Sequence, residues 1–149
     1  MPGIIVGVDG SDHSRLALGW AMREAAQHRV PLTVMTVRPA PVRPATRIFW
    51  AVPDLPEDSH NPDLTRKAVQ QFVDQVATET GVTVPEVTVI VATGDVAEEL
   101  VRASRDADLL VVGSRGSGGF AKLLMGSVSS QVTHHAGCPV VVIPSAADL

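Results

Sequence analysis

Two short segments of this sequence combine glycine with small polar residues in the way that phosphate binding requires. One runs from Gly113 through Arg115 to Gly116, and the other is Gly126-Ser127. Glycine has no Cβ, so the main-chain N–H groups beside it can approach a ligand closely. A helix that begins at Ser127 would add free N–H groups, the positive end of its dipole and a hydroxyl donor. Together these residues predict a polyphosphate site, although simple glycine turns and a helix cap would use the same residue types.

A third segment, Asp9-Gly10-Ser11, follows the first apolar run of the chain. Asp9 is either a ligand contact or a turn former and cap at the start of the next helix, since a carboxylate serves both purposes. Arg115 can pair with a phosphate from within the glycine segment, but an arginine exposed on a loop needs no such role. His13 follows close behind, near the entrance of the crevice. Its side chain either contacts a ligand or lies on the solvated side of its helix, and we expect the solvated side.

The familiar catalytic and metal-binding motifs are missing from the sequence. No Gly-Lys-Ser or Gly-Lys-Thr follows a glycine run, and no Gly-x-Gly-x-x-Gly follows the first apolar run. The neighbours His134 and His135 point in different directions on a helix and have no acidic or cysteine partner at ligand spacing. Cys138 is the sole cysteine, and its apolar surroundings predict a buried, unreactive thiol. Because no base is positioned and no catalytic lysine is present, the sequence predicts a protein that binds its ligand without converting it.

The composition excludes several classes of protein. Twelve basic residues against sixteen acidic ones give a formal net charge of -4, and tyrosine is absent, so neither charge nor aromatic content suits nucleic-acid binding. No apolar stretch approaches the roughly 20 residues of a membrane span, and the N-terminus lacks the charged flank of a signal peptide. We therefore expect a cytoplasmic protein that binds neither membranes nor nucleic acids.

Five apolar runs rich in valine and isoleucine must position the polar segments. The runs are nearly continuous and do not alternate with polar residues, which is typical of strands buried on both faces of a parallel sheet. They are Gly3 to Asp9, Leu32 to Val37, Val87 to Ala92, Leu109 to Gly113 and Val140 to Ile143.

Each connection between these runs shows apolar residues at three- and four-residue spacing, which predicts a helix. The predicted boundaries are a cap at Ser11 or Asp12, an end at Gly81, a capping box at Asp95 and Glu98, and a last helix over Ser127 to Ala136. A loop at about 39–62 carries six of the eleven prolines, which excludes a regular element there. Its Phe49-Trp50 pair either anchors the loop or shields a ligand. We predict a single domain over residues 1–149 that includes this loop.

Alternating strands and helices joined by right-handed crossovers predict an α/β fold, with a five-stranded parallel sheet of order 3-2-1-4-5 and helices on both faces. Strands one and four are then neighbours at the point where the winding direction reverses. Ligands of such sheets bind at this switch point, beyond the carboxyl ends of the strands. The segments after Asp9 and Gly113 would face one crevice there.

The spacing of the glycines resembles that of a known family. Gly113, two residues, Gly116, nine residues and Gly126-Ser127 follow the pattern G-x2-G-x9-G-S/T by which ATP-binding universal stress proteins are recognised. The similarity extends from the early Asp9 to the closing run of Cys138 to Ile143. It implies the Rossmann-like fold of the adenine nucleotide alpha hydrolases, with ATP as the ligand and any Mg²⁺ bound through its phosphates.

The resemblance also implies a role for each residue of the site. Asp9, in the turn that includes Gly10, would contact the ribose hydroxyls or the adenine edge, and Val37 would bind adenine through its main chain. The phosphates would be held by Gly113, Gly116, Gly126 and Ser127, with Arg115 within reach and with Val128 and Ser129 adding groups from the helix start.

A universal stress protein of this kind would be a nucleotide-responsive regulator in stress response and not an enzyme, although slow ATP hydrolysis is compatible with the sequence. Two alternatives stay open. One is a dimeric interaction module that binds no nucleotide. The other is an adenylyl-transferring or ATP pyrophosphatase-like enzyme, whose Ser-Gly-Gly-x-Asp-Ser loop this sequence lacks. The last strand, Pro139 to Pro144, is an uncharged apolar edge, and it predicts a homodimer through that strand. The alternative is that the proline-rich loop with Phe49-Trp50 folds over this edge and leaves a monomer.

Overall fold

The computed structural model describes residues 3–38, 62–114 and 127–144. Strands and helices alternate along them in the predicted order. Their bounds are β1 (Ile4–Gly7), α1 (Asp12–His28), β2 (Leu32–Arg38), α2 (Pro62–Thr80), β3 (Val87–Thr93), α3 (Val96–Ser104), β4 (Leu109–Gly113), α4 (Ser127–His135) and β5 (Val140–Ile143). The proline-rich loop with Phe49 and Trp50 lies outside the described residues.

The five strands form one parallel sheet of order β3-β2-β1-β4-β5, as predicted. Val6 of the central strand β1 lies opposite Val34 of β2 on one side and Val111 of β4 on the other. The chain therefore reverses its winding direction between β1 and β4. This arrangement brings the carboxyl ends of β1 and β4 together at one edge of the sheet.

Each face of the sheet carries its own apolar core. Valines that alternate along the strands, such as Val6 and Val34, pack with α1 and α2 on one face. The other face packs with α3 and α4, and its buried residues are Met35, Val37, Ala97, Leu100, Leu110, Val112 and Val132. The strands of a sheet covered on both faces need apolar residues at successive positions, which explains the continuous valine and isoleucine runs.

The helix boundaries follow the predicted capping residues. The Ser11 hydroxyl caps α1 by accepting a hydrogen bond from the Ser14 N–H at 3.2 Å. An Asp95 carboxylate oxygen accepts the Glu98 N–H at 3.0 Å and caps α3. Gly81 follows the last residue of α2 in a left-handed conformation, with φ of 69°. Each cap satisfies main-chain groups that have no partner inside their helix.

The two flanks of α1 face different neighbours. Arg15 lies 2.7 Å from Glu79 of α2, and Gly19 lies beside Val76 and Thr80 of the same helix. Successive helical residues are rotated by about 100°, so Trp20 lies on the other flank, towards β4 and β5. Trp20 is partly buried there against the α1 and α2 core.

The expectation that every strand is buried on both faces is wrong for β3. Val87 and Ile90 are 37% and 41% exposed. The nine residues of α3 span about 13 Å, whereas the seven-residue strands β2 and β3 span about 23 Å. On the face covered by α3 and α4, where Ile90 lies, this helix is too short to cover the strands; Val87 lies on the opposite face, with Val89. An open groove of about 380 Å³ remains on the α3 and α4 face, with Ile90 among its lining residues.

Two further predictions concern the burial of Cys138 and membrane-spanning segments. Cys138 is half-buried and not fully buried as expected, because β5 is an edge strand. Burial raises the pKa of its thiol above the ordinary value, and the nearby carboxylate of Asp108 raises it further. None of the helices described is both long and apolar enough to cross a membrane.

Candidate functional site

The turn after β1 is organised by the carboxylate of Asp9. This side chain is only 7% exposed, and its Oδ1 atom accepts hydrogen bonds from the Ser11 N–H at 2.9 Å and from the Ser11 hydroxyl. Gly10 between them has φ of 82°, a left-handed conformation that glycine adopts without steric cost. The chain can therefore turn sharply from β1 into α1 and hold Ser11 in place as the helix cap.

Asp9 thus has a structural role that the sequence left as an alternative. A carboxylate that fixes a helix cap is also a charged acceptor at the carboxyl end of the central strand. The hydrogen bonds show that Asp9 forms the turn. Its contact with a sugar or base stays a prediction.

Val37 comes near the end of β2, with its side chain almost fully buried in the α3 and α4 core. Only its main chain can therefore meet a ligand. The Val8 N–H donates to the Met35 carbonyl at 2.9 Å, so Met35 turns its main-chain groups towards β1. Main-chain groups alternate sides along a strand, and those of Val37 accordingly face the same way, past the end of β1 and over the Asp9 turn.

Gly113 ends β4 directly beside the start of α1. A Cβ atom at this position would lie 3.0 Å from the main-chain oxygen of His13 and 3.3 Å from the His13 Cβ. A larger residue here would crowd the main chain of His13, so glycine favours the close packing of the helix start on the strand end. The approach places the first turn of α1 at the edge where β1 and β4 end.

The start of α4 is tied to the end of β4. The Ser129 hydroxyl donates a hydrogen bond to the Ser114 carbonyl at 3.1 Å, in a buried position. Ser127 is exposed at the first position of the helix, and Val128 is half-buried. The exposed amino end of α4 consequently lies at the same edge of the sheet as the Asp9 turn and Gly113.

The structure brings most of the predicted site residues to one edge. Those placed at the carboxyl ends of the strands or at the adjoining helix start are Asp9, Gly10, Val37, Gly113, Ser127, Val128 and Ser129. Arg115, Gly116 and Gly126 lie outside the described residues. The predicted roles of all ten remain predictions.

His13 is the residue that the sequence interpretation misplaced. Its ring is half-buried, and its Nδ1 atom is enclosed without a hydrogen-bond partner, whereas a solvated position was expected. The signal was available in the helical spacing, because His13 lies four residues before Ala17, which is completely buried.

His134 and His135, by contrast, are exposed at the end of α4. No group of three or more potential metal ligands occurs within residues 3–38, 62–114 and 127–144.

The fold and the position of this edge define the class of protein. A parallel sheet of this order, with helices on both faces, is an open, Rossmann-like α/β fold. Its switch point lies between β1 and β4, where the polar turns and the start of α4 meet.

Comparison with known proteins gives the family. The sequence profile of the universal stress protein family matches residues 2–144, and the chain belongs to that family. A universal stress protein of Mycolicibacterium smegmatis is 38% identical over 144 residues, and one of Mycobacterium tuberculosis is 36% identical over 146 residues. Each alignment covers 95% of this chain and 47% of the relative. The chain thus spans about half the length of the curated relatives it matches.

Solved structures agree on the fold. The universal stress protein UspA from Lactobacillus plantarum is 25% identical and superposes with a TM-score of 0.75, covering 95% of this chain and 97% of its own. A universal stress protein in complex with cAMP is 24% identical, with a TM-score of 0.67 and coverage of 97% and 98%. One from Archaeoglobus fulgidus in complex with dAMP is 23% identical, with a TM-score of 0.63 and coverage of 96% and 98%.

Proposed function

We propose that this chain binds an adenine nucleotide, specifically ATP, and acts as a nucleotide-responsive regulator in stress response rather than as a catalyst. The observation that carries the proposal is the meeting of three features at one edge of the sheet. They are the Asp9 turn, the outward-facing main chain of Val37 and the exposed start of α4 at Ser127. The complexes of two structural neighbours with cAMP and dAMP support an adenine nucleotide as the ligand.

The chemistry of these features suits the parts of a nucleotide. Main-chain N–H and C=O groups of Val37 can pair with the edge of an adenine ring, and a carboxylate such as Asp9 accepts hydrogen bonds from ribose hydroxyls. The exposed N–H groups and dipole at the start of α4 favour a phosphate. Arg115, Gly116 and Gly126 are assigned to the phosphates by the glycine spacing alone. Any Mg²⁺ would be bound through the phosphates.

Calorimetric titration of the purified protein with ATP, ADP, AMP and cAMP, each with and without Mg²⁺, tests the proposal. We expect saturable binding of one nucleotide per chain, with ATP bound most tightly. Native mass spectrometry before titration detects nucleotide that co-purifies and would mask the signal. A folded, nucleotide-free protein that binds none of the four would contradict the proposal and favour the dimeric interaction module.

The proposal of a regulator makes a separate prediction about turnover. We expect ATP hydrolysis far below the roughly 1–10³ per second of ordinary enzymes, since no general base or catalytic lysine is assigned to the site. Release of phosphate from ATP by a nuclease- and phosphatase-free preparation measures this rate. Hydrolysis at several per second would favour an enzyme.

We further propose that two chains pair through β5. This strand lies at one edge of the sheet, and all its residues are half-exposed although they are valines and an isoleucine. The opposite edge is protected differently, because Arg66 of α2 donates a hydrogen bond to the main-chain oxygen of Val89 on β3. A charged side chain placed along an edge discourages pairing with another chain, and β5 has no such protection in the part described.

A further inference from the structure

A groove lies at the edge of the sheet opposite to the proposed nucleotide site. Ile5, Thr33 and Thr88 lie side by side on β1, β2 and β3, near the amino ends of these strands. Ile90 lies two residues beyond Thr88 on the same face and is 41% exposed. These four residues line the groove of about 380 Å³ that α3 leaves uncovered. A large apolar side chain exposed in a concave surface indicates contact with another molecule.

The charged residues at this groove are both acidic. Among the described residues that line it, only Glu86 and Asp106 carry a charge. Glu86 is exposed in the segment before β3, and Asp106 is exposed in the turn after α3. Neither carboxylate forms an ion pair with any residue in the described ranges. The groove therefore combines apolar surface with two negative charges that the described part of the chain does not neutralise.

The arginines nearest to Asp106 in the sequence are directed elsewhere. The Arg102 guanidinium lies 3.3 Å from the Glu99 carboxylate. The Cα and Cγ atoms of Arg105 lie 3.1 Å and 3.2 Å from where a Cβ of Gly137 would be, so Arg105 packs beside the end of α4. A cation that neutralises the groove is accordingly expected from a partner.

A long cationic side chain suits this combination of apolar surface and negative charge. Lysine and arginine lay their aliphatic stems on apolar surface and keep the charged head free for a polar contact. The planar guanidinium of arginine also pairs with both oxygens of a carboxylate, which favours arginine over lysine in interface ion pairs. Sites for free small molecules bury most of the ligand, whereas an open groove covers one side of it. A side chain presented by a larger partner therefore fits this groove better than a free small molecule does.

We propose that the groove is a docking site for a partner protein, which inserts an arginine-bearing segment into it. Ile5 and Ile90 contact the aliphatic part of that segment, and Glu86 and Asp106 pair with its guanidinium groups. The groove lies at the amino ends of the strands and the proposed nucleotide site at their carboxyl ends. The inference therefore does not depend on nucleotide binding.

Two capped tripeptides serve as probes for the groove. One consists of arginine, leucine and arginine, and the other has citrulline, which is neutral and nearly the same shape, in place of both arginines. Titration at millimolar concentration is followed by NMR of the main-chain amides of isotopically labelled protein. We expect saturable shifts at Ile5, Thr88 and Ile90, with the arginine peptide bound about three- to tenfold more tightly at low salt, as for two exposed ion pairs. High salt should reduce this difference.

Two variants separate the charge of the groove from its apolar surface. The double variant Glu86→Gln, Asp106→Asn keeps the shape of both side chains and should bind the two peptides equally. Ile90→Ser removes apolar surface and should weaken both peptides alike, so that the preference for arginine remains. Asp74→Asn removes an exposed carboxylate from α2 and is the matched control, which should keep the wild-type affinities. Unfolding in urea shows that each variant is folded.

Three results would overturn the proposal. They are unchanged groove amides when the wild type is titrated with either peptide, equal binding of the two peptides by the wild type, and a preference for arginine that survives in the double variant. Groove amides that shift when the wild-type protein alone is diluted would identify the occupant as a second copy of this chain and would also overturn the proposal.

Discussion

The carboxylate of Asp9 holds the turn before α1 and is also proposed to contact the ligand, and two substitutions separate these roles. Asp9→Ala removes both the acceptor for Ser11 and the proposed contact with the sugar or base. Ser11→Ala removes the helix cap and leaves the carboxylate. We expect Asp9→Ala to lower ATP affinity at least about tenfold. Ser11→Ala should lower the free energy of unfolding by about 1 kcal/mol and leave affinity nearly unchanged.

Calorimetry measures the affinities in this pair, and urea unfolding measures the stabilities. The variants serve as controls for each other, since both disturb the same turn. An Asp9→Ala protein that is less stable but binds ATP normally would make Asp9 a turn former alone.

The raised pKa of the Cys138 thiol predicts slow alkylation. At pH 7.5 less of the reactive thiolate is present than in an ordinary exposed cysteine, because burial first and Asp108 second disfavour the charged form. We expect iodoacetamide to modify the native protein several-fold more slowly than the urea-unfolded chain, with the native rate rising steeply with pH. Mass spectrometry at timed intervals measures both rates. Equal rates for the native and the unfolded chain would contradict the prediction.

The same pKa shift links Cys138 to stability at alkaline pH. A folded-state pKa above the unfolded one means that the folded protein retains the proton longer. The contribution to stability is therefore complete below the unfolded pKa and is lost as the pH rises through the folded pKa. Cys138→Ala should remove this part of the alkaline loss.

At the scale of elements, α1 and α2 end in the same backbone conformation with different residues. Arg29 after α1 has φ of 54°, and Gly81 after α2 has φ of 69°. A residue with a Cβ is disfavoured there by roughly 1–2 kcal/mol, and glycine is not. We expect Arg29→Gly to raise the free energy of unfolding by about 0.5–1 kcal/mol and Gly81→Ala to lower it by about 1 kcal/mol.

Urea unfolding at one pH gives both values. No atom lies within 4 Å of where the Gly81 Cβ would be, so the change there tests the backbone conformation without a steric clash. Both positions are at the amino ends of the strands, and ATP affinity is expected to stay the same in both variants. Destabilisation by Arg29→Gly would show that the arginine side chain contributes more than its conformation costs.

The sequence was sufficient for the elements and their order. The boundaries of β4 and β5 were predicted to the residue, because continuous valine runs end at glycine or proline, and Asp95 and Gly81 marked helix ends through their own side-chain and backbone chemistry. The exposure of β3 was not predictable in this way. For Ile90 it depends on how far the short helix α3 reaches along its face of the sheet, which is a relation between two distant segments.

For the candidate site, too, the sequence indicated some features and not others. Glycine and hydroxyl residues at strand ends indicated its place, since the fold brings those ends together. The partial burial of His13 was indicated by its helical spacing from Ala17, whereas the close approach of its main chain to Gly113 is a property of tertiary packing.

At the scale of the whole molecule, the two edges of the sheet are expected to respond differently to charge. Val141→Glu places a carboxylate in the middle of β5 and should dissociate the proposed dimer, because a charge cannot be buried there without a partner. Val87→Glu places the same group on the other edge strand, β3, and should leave the dimer intact. Sedimentation velocity at micromolar concentration distinguishes the two. A wild-type chain that sediments as a monomer would refute the dimer.

The position of Trp20, on the flank of α1 that faces β4 and β5, makes it a natural optical reporter for that edge. The sequence has two tryptophans and no tyrosine, so a Trp50→Phe chain would have Trp20 as its single dominant fluorophore. If β5 pairs with a second copy, water leaves the neighbourhood of the indole and its emission shifts to shorter wavelength. Serial dilution followed by fluorescence then reads the monomer–dimer equilibrium directly, at concentrations too low for sedimentation.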